Sequence, residues 1–480
     1  MAKRLISPEY KRRIKKSRQF WSMIRVYGFY LVLIFFMVVG LLLWLRPKES
    51  TLEKRTLAEF PSMTFGGLWN GSFFTDIATW YTDTYPMREK MLGGGSDIKN
   101  LYGLHGAEFY GDVGRTGDEI PVEDDDGQKA AIIDTSKKKT EAKTEDKTEN
   151  SSGSPVGTET MTVQPVTEEA TEALPDGTKH GTDAEVAGDV FILDGQAFSI
   201  YYFGKDNSQY YASMVNTVRS KLPSNVQLYD ILAPTAWGAI LGRDMQESLG
   251  GSSQEDAIKF VYGKIDDSVK CVPAYDNIVR HNAEYIYFRS DHHWTVMGAY
   301  YAYEAWCKSK GIEPHPTDYF TKKYEFDGFL GTFYASSNQA PVLGNNPDTV
   351  LAFVPNGTNY EVFTQSDGQQ LEWNVIRDVS DWARTSKYNC FIGGDNPFTV
   401  IDNPAITDGS ACILIKESYG NAFAPFLVDH YQHVYVIDYR YYDGNLTQFI
   451  KDKNVSDVIL LNNMEALSVS RADMILSLFP

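Results

Sequence analysis

Residues 26–45, VYGFYLVLIFFMVVGLLLWL, run for twenty positions without a charged side chain. Wound as an α-helix at about 1.5 Å per residue, this run spans roughly 30 Å, the apolar thickness of a bilayer. Nine bases and one acid occupy residues 1–25, and a basic flank of this kind stays cytoplasmic, which places residues 46–480 on the far side. The run is longer than the roughly 7–15 apolar residues of a signal peptide, and Arg46-Pro47-Lys48 follows where a small-residue cleavage site would stand. An uncleaved, single-pass anchor in the lipid bilayer is therefore expected, with the remaining chain folding outside the cytoplasm.

The 480 residues carry 63 acids against 45 bases, a net charge of −18. Phosphate backbones would be repelled by most of such a surface, so nucleic acid is excluded as a partner. Four cysteines (Cys271, Cys307, Cys390 and Cys412) are too few for a disulfide scaffold. The even count and extracytoplasmic setting leave room for one bridge, and the spacing does not say which.

Composition divides the chain further. Residues 46–120 look folded, with Phe73, Phe74, Ile77, Trp80 and Tyr81 making one apolar face at helical spacing. This segment is expected to pack on the domain that follows. Residues 121–188 contain no Phe, Trp, Tyr or Arg, and sixteen acids face seven lysines. A segment so poor in apolar surface cannot offset its ordering entropy, so a disordered acidic Thr/Glu/Lys-rich insertion is expected. Structure resumes at 189, where Asp189–Gly195 reads as a strand and turn.

Strand and helix patterns then alternate to residue 480. Ser213–Leu222, Ile258–Val269 and the run after Gly298 suit helices. Val226–Pro234, Ala411–Ile415, Val434–Ile437 and Val458–Leu461 are continuous apolar runs, as strands covered on both faces require. The expectation is an α/β domain over 189–480 whose mostly parallel sheet lies between two layers of helices.

Two constellations fall at strand ends or helix starts. In Ile286-Tyr287-Phe288-Arg289-Ser290-Asp291-His292-His293-Trp294, an Asp-x-His pair lets a carboxylate fix an imidazole's tautomer and stabilise its protonated form. In Ile413-Leu414-Ile415-Lys416-Glu417-Ser418-Tyr419-Gly420-Asn421, an apolar strand delivers Ser418 to a turn and then a helix. That places a serine at the carboxyl edge of the sheet, where α/β folds bind ligands, with helix N–H groups aimed at a developing oxyanion. Gly420 and Asn421 are oxyanion candidates. Alone, Ser418 reads as a helix N-cap. Together the two constellations supply nucleophile, base and orienting acid for acyl transfer. Arg440 and Tyr441 after Val434–Ile437, and Asn396 in the turn Gly393-Gly394-Asp395-Asn396, are further candidates for substrate binding.

These motifs make the chain resemble the DHHW protein family, named for the tetrapeptide here at Asp291-His292-His293-Trp294. The resemblance extends to a leading E-x-R-x-L-like motif at Glu53, Arg55 and Leu57, the block Lys416–Asn421 and the segment Asp438–Tyr442. That family is similar to the alginate O-acetylation proteins of the bacterial periplasm and, more distantly, to SGNH/GDSL hydrolases. The resemblance implies an SGNH-hydrolase-like three-layer sandwich and a triad in which Asp-x-His precedes the serine. Asp291 would orient, His293 act as base and Ser418 as nucleophile, with His292 between them. The insertion at 121–188 is this chain's departure from the family pattern.

The function expected is a membrane-anchored, extracytoplasmic O-acyltransferase, acetyl being the group moved, or an esterase, acting on a cell-surface or secreted polysaccharide. Acetyl-CoA is cytoplasmic, so a transferase needs a partner that exports acetyl groups, and the family comparison implies a multispanning membrane acyltransferase. No cofactor is expected. A different class is the alternative: a non-catalytic glycan-binding or scaffold subunit of an envelope-polymer assembly, which would tolerate Ser418→Ala. A metal reading through His281, Asp291, His292 and His293 matches no recurring ligand spacing, and no metal is expected.

Overall fold

The computed structural model describes residues 190–480 apart from Asn338, residues 184–187, and short stretches between 49 and 135. The apolar run at 26–45 and its basic flank lie outside the described residues. Among the described residues no helix is long and apolar enough to cross a membrane. Two units divide the chain, Met1–Gly95 and Ser96–Pro480.

In the first unit, β1 (Glu49–Ser50) pairs antiparallel with β2 (Arg55–Thr56). Phe73, Ile77, Trp80 and Tyr81 are helical, as their spacing predicts, and the Phe60 ring meets Trp80 edge-on at 4.8 Å.

The second unit is built on an eight-stranded sheet. Its strands are β6 (Gln227–Ala233), β7 (Lys270–Cys271), β10 (Tyr360–Thr364), β11 (Gln370–Asn374), β12 (Phe398–Asp402), β13 (Ala411–Lys416), β14 (His433–Asp438) and β15 (Asp457–Asn463). The order across the sheet is β11-β10-β12-β14-β13-β15-β6-β7. From β14 to β7 all pairing is parallel, and every residue of β13 and β15 is buried, the condition their unbroken apolar runs anticipate.

The sheet is less uniformly parallel than the alternating pattern predicts. β12, β10 and β11 extend it antiparallel beyond β14. The β10–β11 hairpin turns through Asp367-Gly368, where Gly368 takes a φ of +84°, a backbone region nearly closed to other residues. β10 buries Glu361 and Phe363 while Tyr360 is exposed, and no residue of β11 is fully buried, so neither strand carries a solid apolar run.

Helices α1 (Lys205–Lys221), α2 (Gln254–Lys264) and α3 (Val296–Lys310) cover the sheet with α4 (Gly420–Phe423), α5 (Leu446–Asp452) and α6 (Val469–Ser477). Neighbouring side chains of β6 show the layering. Tyr229 packs its ring on Trp306 of α3 at 6.0 Å, while Asp230 on the other face accepts a hydrogen bond from Tyr211 of α1 (2.7 Å). Successive strand residues face opposite ways, so α1 and α3 lie on opposite sides of the sheet. α3 begins after Thr295 and ends at Gly311, whose left-handed φ of +83° closes the last turn beside Lys308 and Lys310.

Smaller sheets flank this core. β3 (Ala184–Ala187), β4 (Val190–Leu193) and β5 (Gln196–Ser199) form an antiparallel meander, the β4–β5 turn falling at Asp194-Gly195 where the sequence places it. β8 (Lys322–Phe329) pairs with β9 (Asp348–Val354).

The expected disorder of 121–188 is corrected at two places. Residues 129–133 dock on the helical layer: Ala130 N–H donates to the Lys264 carbonyl (2.8 Å), Ile133 N–H donates to Thr217 Oγ1 (2.8 Å), and Ala130 and Ile133 pack against the core. Residues 184–187 form β3. The cause is local, because Ala130-Ala131-Ile132-Ile133 is an apolar patch inside an otherwise polar segment.

Candidate active site

The Asp-x-His segment sits on a tight loop. Tyr287 and Trp294 form a β-bridge, and Phe288 N–H donates to the His293 carbonyl (3.2 Å). Asp348, fully buried at the start of β9, holds the loop from beneath. It accepts Arg289 N–H (3.1 Å), Arg289 Nε–H (3.0 Å), Ser290 N–H (2.8 Å), the Ser290 hydroxyl (2.5 Å) and the Tyr285 hydroxyl. A buried carboxylate with this many donors fixes backbone and side chains together.

On that loop Asp291 Oδ1 accepts His293 N–H (3.0 Å) and faces His293 Nδ1 at 2.5 Å. Its Oδ2 accepts Thr332 N–H (2.7 Å) and the Thr332 hydroxyl (3.1 Å). Burial opposes the Asp291 charge, but the adjacent His293 and His292 and these donors outweigh it and hold the carboxyl well below the usual range. Gly331 makes room, since a Cβ there would stand 2.1 Å from Asp291 Oδ2.

Ionised Asp291 is acceptor-only, so it fixes the His293 proton on Nδ1 and leaves the Nε2 lone pair free. Nε2 lies 2.8 Å from Ser418 Oγ. Tyr388 stacks on the imidazole (4.1 Å between centroids, 16° between planes) and donates its hydroxyl to the Ser418 carbonyl (3.2 Å). His292 turns to Thr332, its Nδ1 2.6 Å from the hydroxyl. Burial, then the neighbouring His293 charge, pushes its pKa down to about 3, so His292 is neutral at physiological pH.

Ser418 follows β13 in a turn that only glycine at 420 can close, because a Cβ there would meet Lys416 Cβ at 2.4 Å. Three bonds join this turn to the loop. Trp294 Nε1–H donates to the Tyr419 carbonyl (3.0 Å), and Tyr419 returns its hydroxyl to the His292 carbonyl (2.5 Å). His293–Ser418 is the third. Glu417, buried, lies behind the serine with Oε2 3.2 Å from Ser418 Oγ and from Tyr419 N. Its Oε1 accepts Asn463 N–H from β15 (3.1 Å).

The structure thus brings Asp291, His293 and Ser418 together across 125 residues of sequence. It gives the oxyanion candidates other partners. Gly420 N–H donates to the Glu417 carbonyl (2.9 Å), Asn421 N–H donates to the Ser418 carbonyl (3.2 Å), and Asn421 Nδ2 donates to Asp395 Oδ1 (2.8 Å). Ser418 N–H is the amide of this turn that makes no hydrogen bond among the described residues, which leaves it for an oxyanion. Asn396 Nδ2 donates to the Ile392 carbonyl within its own turn (3.3 Å).

Arg440 is held by Asp438 through Nε (2.8 Å) and Nη2 (2.7 Å) and by Asp395 (3.0 Å), with Tyr441 exposed beneath the guanidinium. Lys416, fully buried, bridges the same two carboxylates at 2.8 and 3.2 Å. This cluster is a charge-balanced support beside Ser418. The residues missed in the sequence are Thr332, Tyr388 and Asp348, which stand in no local motif, and Glu417 and Asp395, which stand beside the singled-out Ser418 and Asn396 without a role being read for them.

Asp291, His292 and His293 each offer one ligand atom within 4.8 Å of the others. Asp291 and both His293 nitrogens already have the partners described. The four cysteines are free thiols, three of them buried.

No curated protein matches the chain. Among solved structures, a DHHW family protein from Eubacterium siraeum is similar at 29% identity over 60% of this chain and 94% of that one (TM-score 0.54). Bacillus cereus PatB1 is similar at 17% identity over 59% and 98% (TM-score 0.49). The O-acetyltransferase domain of Pseudomonas putida AlgJ is similar at 15% identity over 59% and 96% (TM-score 0.30). The tetrapeptide that carries His293 is the one expected of its relatives, and with the family match running over residues 53–437 the chain belongs to the DHHW protein family.

Proposed function

We propose that the protein is a serine-dependent O-acyltransferase or esterase on an SGNH-hydrolase-like sandwich, acting on a cell-surface or secreted polysaccharide from the extracytoplasmic face of the membrane. The observation that carries this reading is the 2.8 Å approach of His293 Nε2 to Ser418 Oγ, with Asp291 on the opposite nitrogen. In the first step Ser418 Oγ attacks the acyl carbonyl and His293 Nε2 takes its proton. The oxyanion forms at Ser418 N–H, and as it collapses the bond from the acyl carbon to the donor oxygen breaks and His293 passes the proton to that departing oxygen. In the second step an acceptor hydroxyl or water gives its proton to His293 and attacks acyl-Ser418. The acyl–Oγ bond breaks and Ser418 regains a proton.

Acetyl as the group follows from the family's resemblance to O-acetylation proteins. The anchor at 26–45, its basic cytoplasmic flank and a multispanning acyltransferase as acyl donor complete the reading, supported by the charge pattern of residues 1–45.

The test uses the full chain in detergent micelles with 4-nitrophenyl acetate, following acetate release and the intact mass of acyl-Ser418. Labelling or turnover in the parent, lost in folded Ser418→Ala and His293→Ala, is expected. Glycan modification that survives Ser418→Ala in cells would overturn catalysis and leave the scaffold.

A further inference from the structure

The tetrapeptide holds two histidines, and acyl transfer through Ser418 uses one of them. His292 stands outside the triad, yet its ring lies against that of His293, with 3.8 Å between centroids and 37° between planes. Both Nδ1 atoms are on the side of Asp291, that of His293 at 2.5 Å from Oδ1 and that of His292 at 3.9 Å. The His292 side chain is 34% exposed, against 8% for His293 and 4% for Asp291, so of the three it is the one a ligand meets first.

Counting hydrogens assigns the donor nitrogen of His292. Thr332 Oγ1 lies 3.1 Å from Asp291 Oδ2 and 2.6 Å from His292 Nδ1. A hydroxyl has one proton to give, and ionised Asp291 can only accept. The Thr332 proton therefore goes to Asp291, and the hydroxyl oxygen accepts Nδ1–H of His292. A neutral imidazole with its proton on Nδ1 carries a lone pair on Nε2. His292 Nε2 makes no hydrogen bond among the described residues, and it is not sealed from solvent.

Asp291 thus sets the tautomer of both imidazoles, directly for His293 and through Thr332 for His292. Two neighbouring lone pairs result. That of His293 stands 2.8 Å from Ser418 Oγ, and that of His292 is unclaimed. In the second half of the reaction the acceptor must bring one hydroxyl to His293 Nε2 and acyl-Ser418 together. A further hydrogen-bond acceptor one ring away suits a molecule with a second O–H close to the first, on the adjacent carbon, as sugar rings carry. An alcohol with a single hydroxyl leaves His292 Nε2 to water.

Resting on the acyl-transfer reading above, we propose that His292 binds the acceptor and selects a vicinal diol: its Nε2 accepts one hydroxyl of a sugar while the adjacent hydroxyl attacks acyl-Ser418. The attacking oxygen bonds to the acyl carbon, its proton passes to His293 Nε2, the acyl–Oγ bond breaks, and His293 returns the proton to Ser418 Oγ.

The experiment compares trans-cyclohexane-1,2-diol with cyclohexanol as acceptors, the same ring differing by one hydroxyl. The full chain in detergent micelles is acetylated with 4-nitrophenyl acetate, and ester is counted per acyl-Ser418 consumed and per attacking hydroxyl, which restricts the reading to folded protein. One neutral hydrogen bond should favour the diol about three- to tenfold in the parent. The preference should vanish in His292→Phe, which keeps a ring and removes both nitrogens. In parent protein with 15N-labelled histidine, the His292 signal, assigned by its loss in His292→Phe, should show Nε2 unprotonated. A parent with no transfer to the diol or no preference for it, a preference that survives in His292→Phe, or a proton on His292 Nε2 overturns this inference while acyl-Ser418 still stands. A parent that never acylates Ser418 overturns the acyl-transfer reading and this one with it.

Discussion

Replacing Asp291 by Asn tests the central geometry with little change of shape. The carboxylate is buried and takes hydrogen bonds from His293 N, His293 Nδ1, Thr332 N and the Thr332 hydroxyl. An amide turns one of the two acceptor oxygens into a donor. If its NH2 faces His293, the imidazole proton moves to Nε2, the nitrogen 2.8 Å from Ser418 Oγ, and no base remains. If it faces Thr332, the Thr332 N–H at 2.7 Å loses its acceptor. Either orientation orphans one buried backbone N–H at a cost of about 1–3 kcal/mol, and both remove the charge that stabilises the imidazolium. The expected fall in kcat for 4-nitrophenyl acetate is about a thousandfold or more. The stability loss has a definite pH signature. Asp291 is held below its ordinary value, so its contribution is present above about pH 4 and fades as pH falls through the lower, folded-state value. Denaturant unfolding should show parent and variant converging in acid. A folded Asp291→Asn protein within tenfold of the parent rate would refute the claim that this carboxylate sets the His293 tautomer.

Two further substitutions probe the support. Gly331→Ala would drive a methyl to 2.1 Å from Asp291 Oδ2. It is expected to lower stability by about 1–3 kcal/mol, read as a lower Tm, and to reduce turnover with it. Asp230→Asn addresses the buried sheet carboxyl, raised to about 7 by burial, with Oδ2 unpartnered among the described residues. A raised acid binds more protons folded than unfolded between about pH 4 and 7, so the parent's stability falls as pH rises through that window. The shift from 3.8 to about 7 corresponds to roughly 4 kcal/mol. Asp230→Asn should flatten this fall in denaturant unfolding across the window, and an unaltered pH dependence would show that Asp230 titrates normally.

The parallel strands and the three site residues were legible because each carries its signal locally. Ala411–Ile415 is apolar on both faces, and Asp291 and His293 share a loop two residues apart. The antiparallel edge strands were not read, since their partial burial leaves no solid apolar run to stand out. Ala130 and Ile133 were hidden by composition averaged over a long segment, although four adjacent small or apolar residues sufficed to dock. Asn421 reads as an oxyanion donor from its spacing after Ser418. Its amide is committed to Asp395, which reaches it from before β12 because that strand runs antiparallel to β14 and starts at the same sheet edge.

The same reasoning explains the tryptophan that closes the tetrapeptide. Ser418 is fixed by a sheet strand, but His293 rides on a loop outside the main sheet, and nothing in strand pairing sets the distance between them. That distance depends on Trp294 Nε1–H to the Tyr419 carbonyl, on the Tyr419 hydroxyl to the His292 carbonyl, and on the Tyr388 hydroxyl to the Ser418 carbonyl. The Trp294 ring is fully buried and anchors the loop end while its N–H reaches across. A misplacement of about 1 Å between base and nucleophile can cost about a hundredfold in rate. On the proposed acyl-transfer reading Trp294 therefore acts through position alone, as the rivet between the loop that carries His293 and the strand that delivers Ser418.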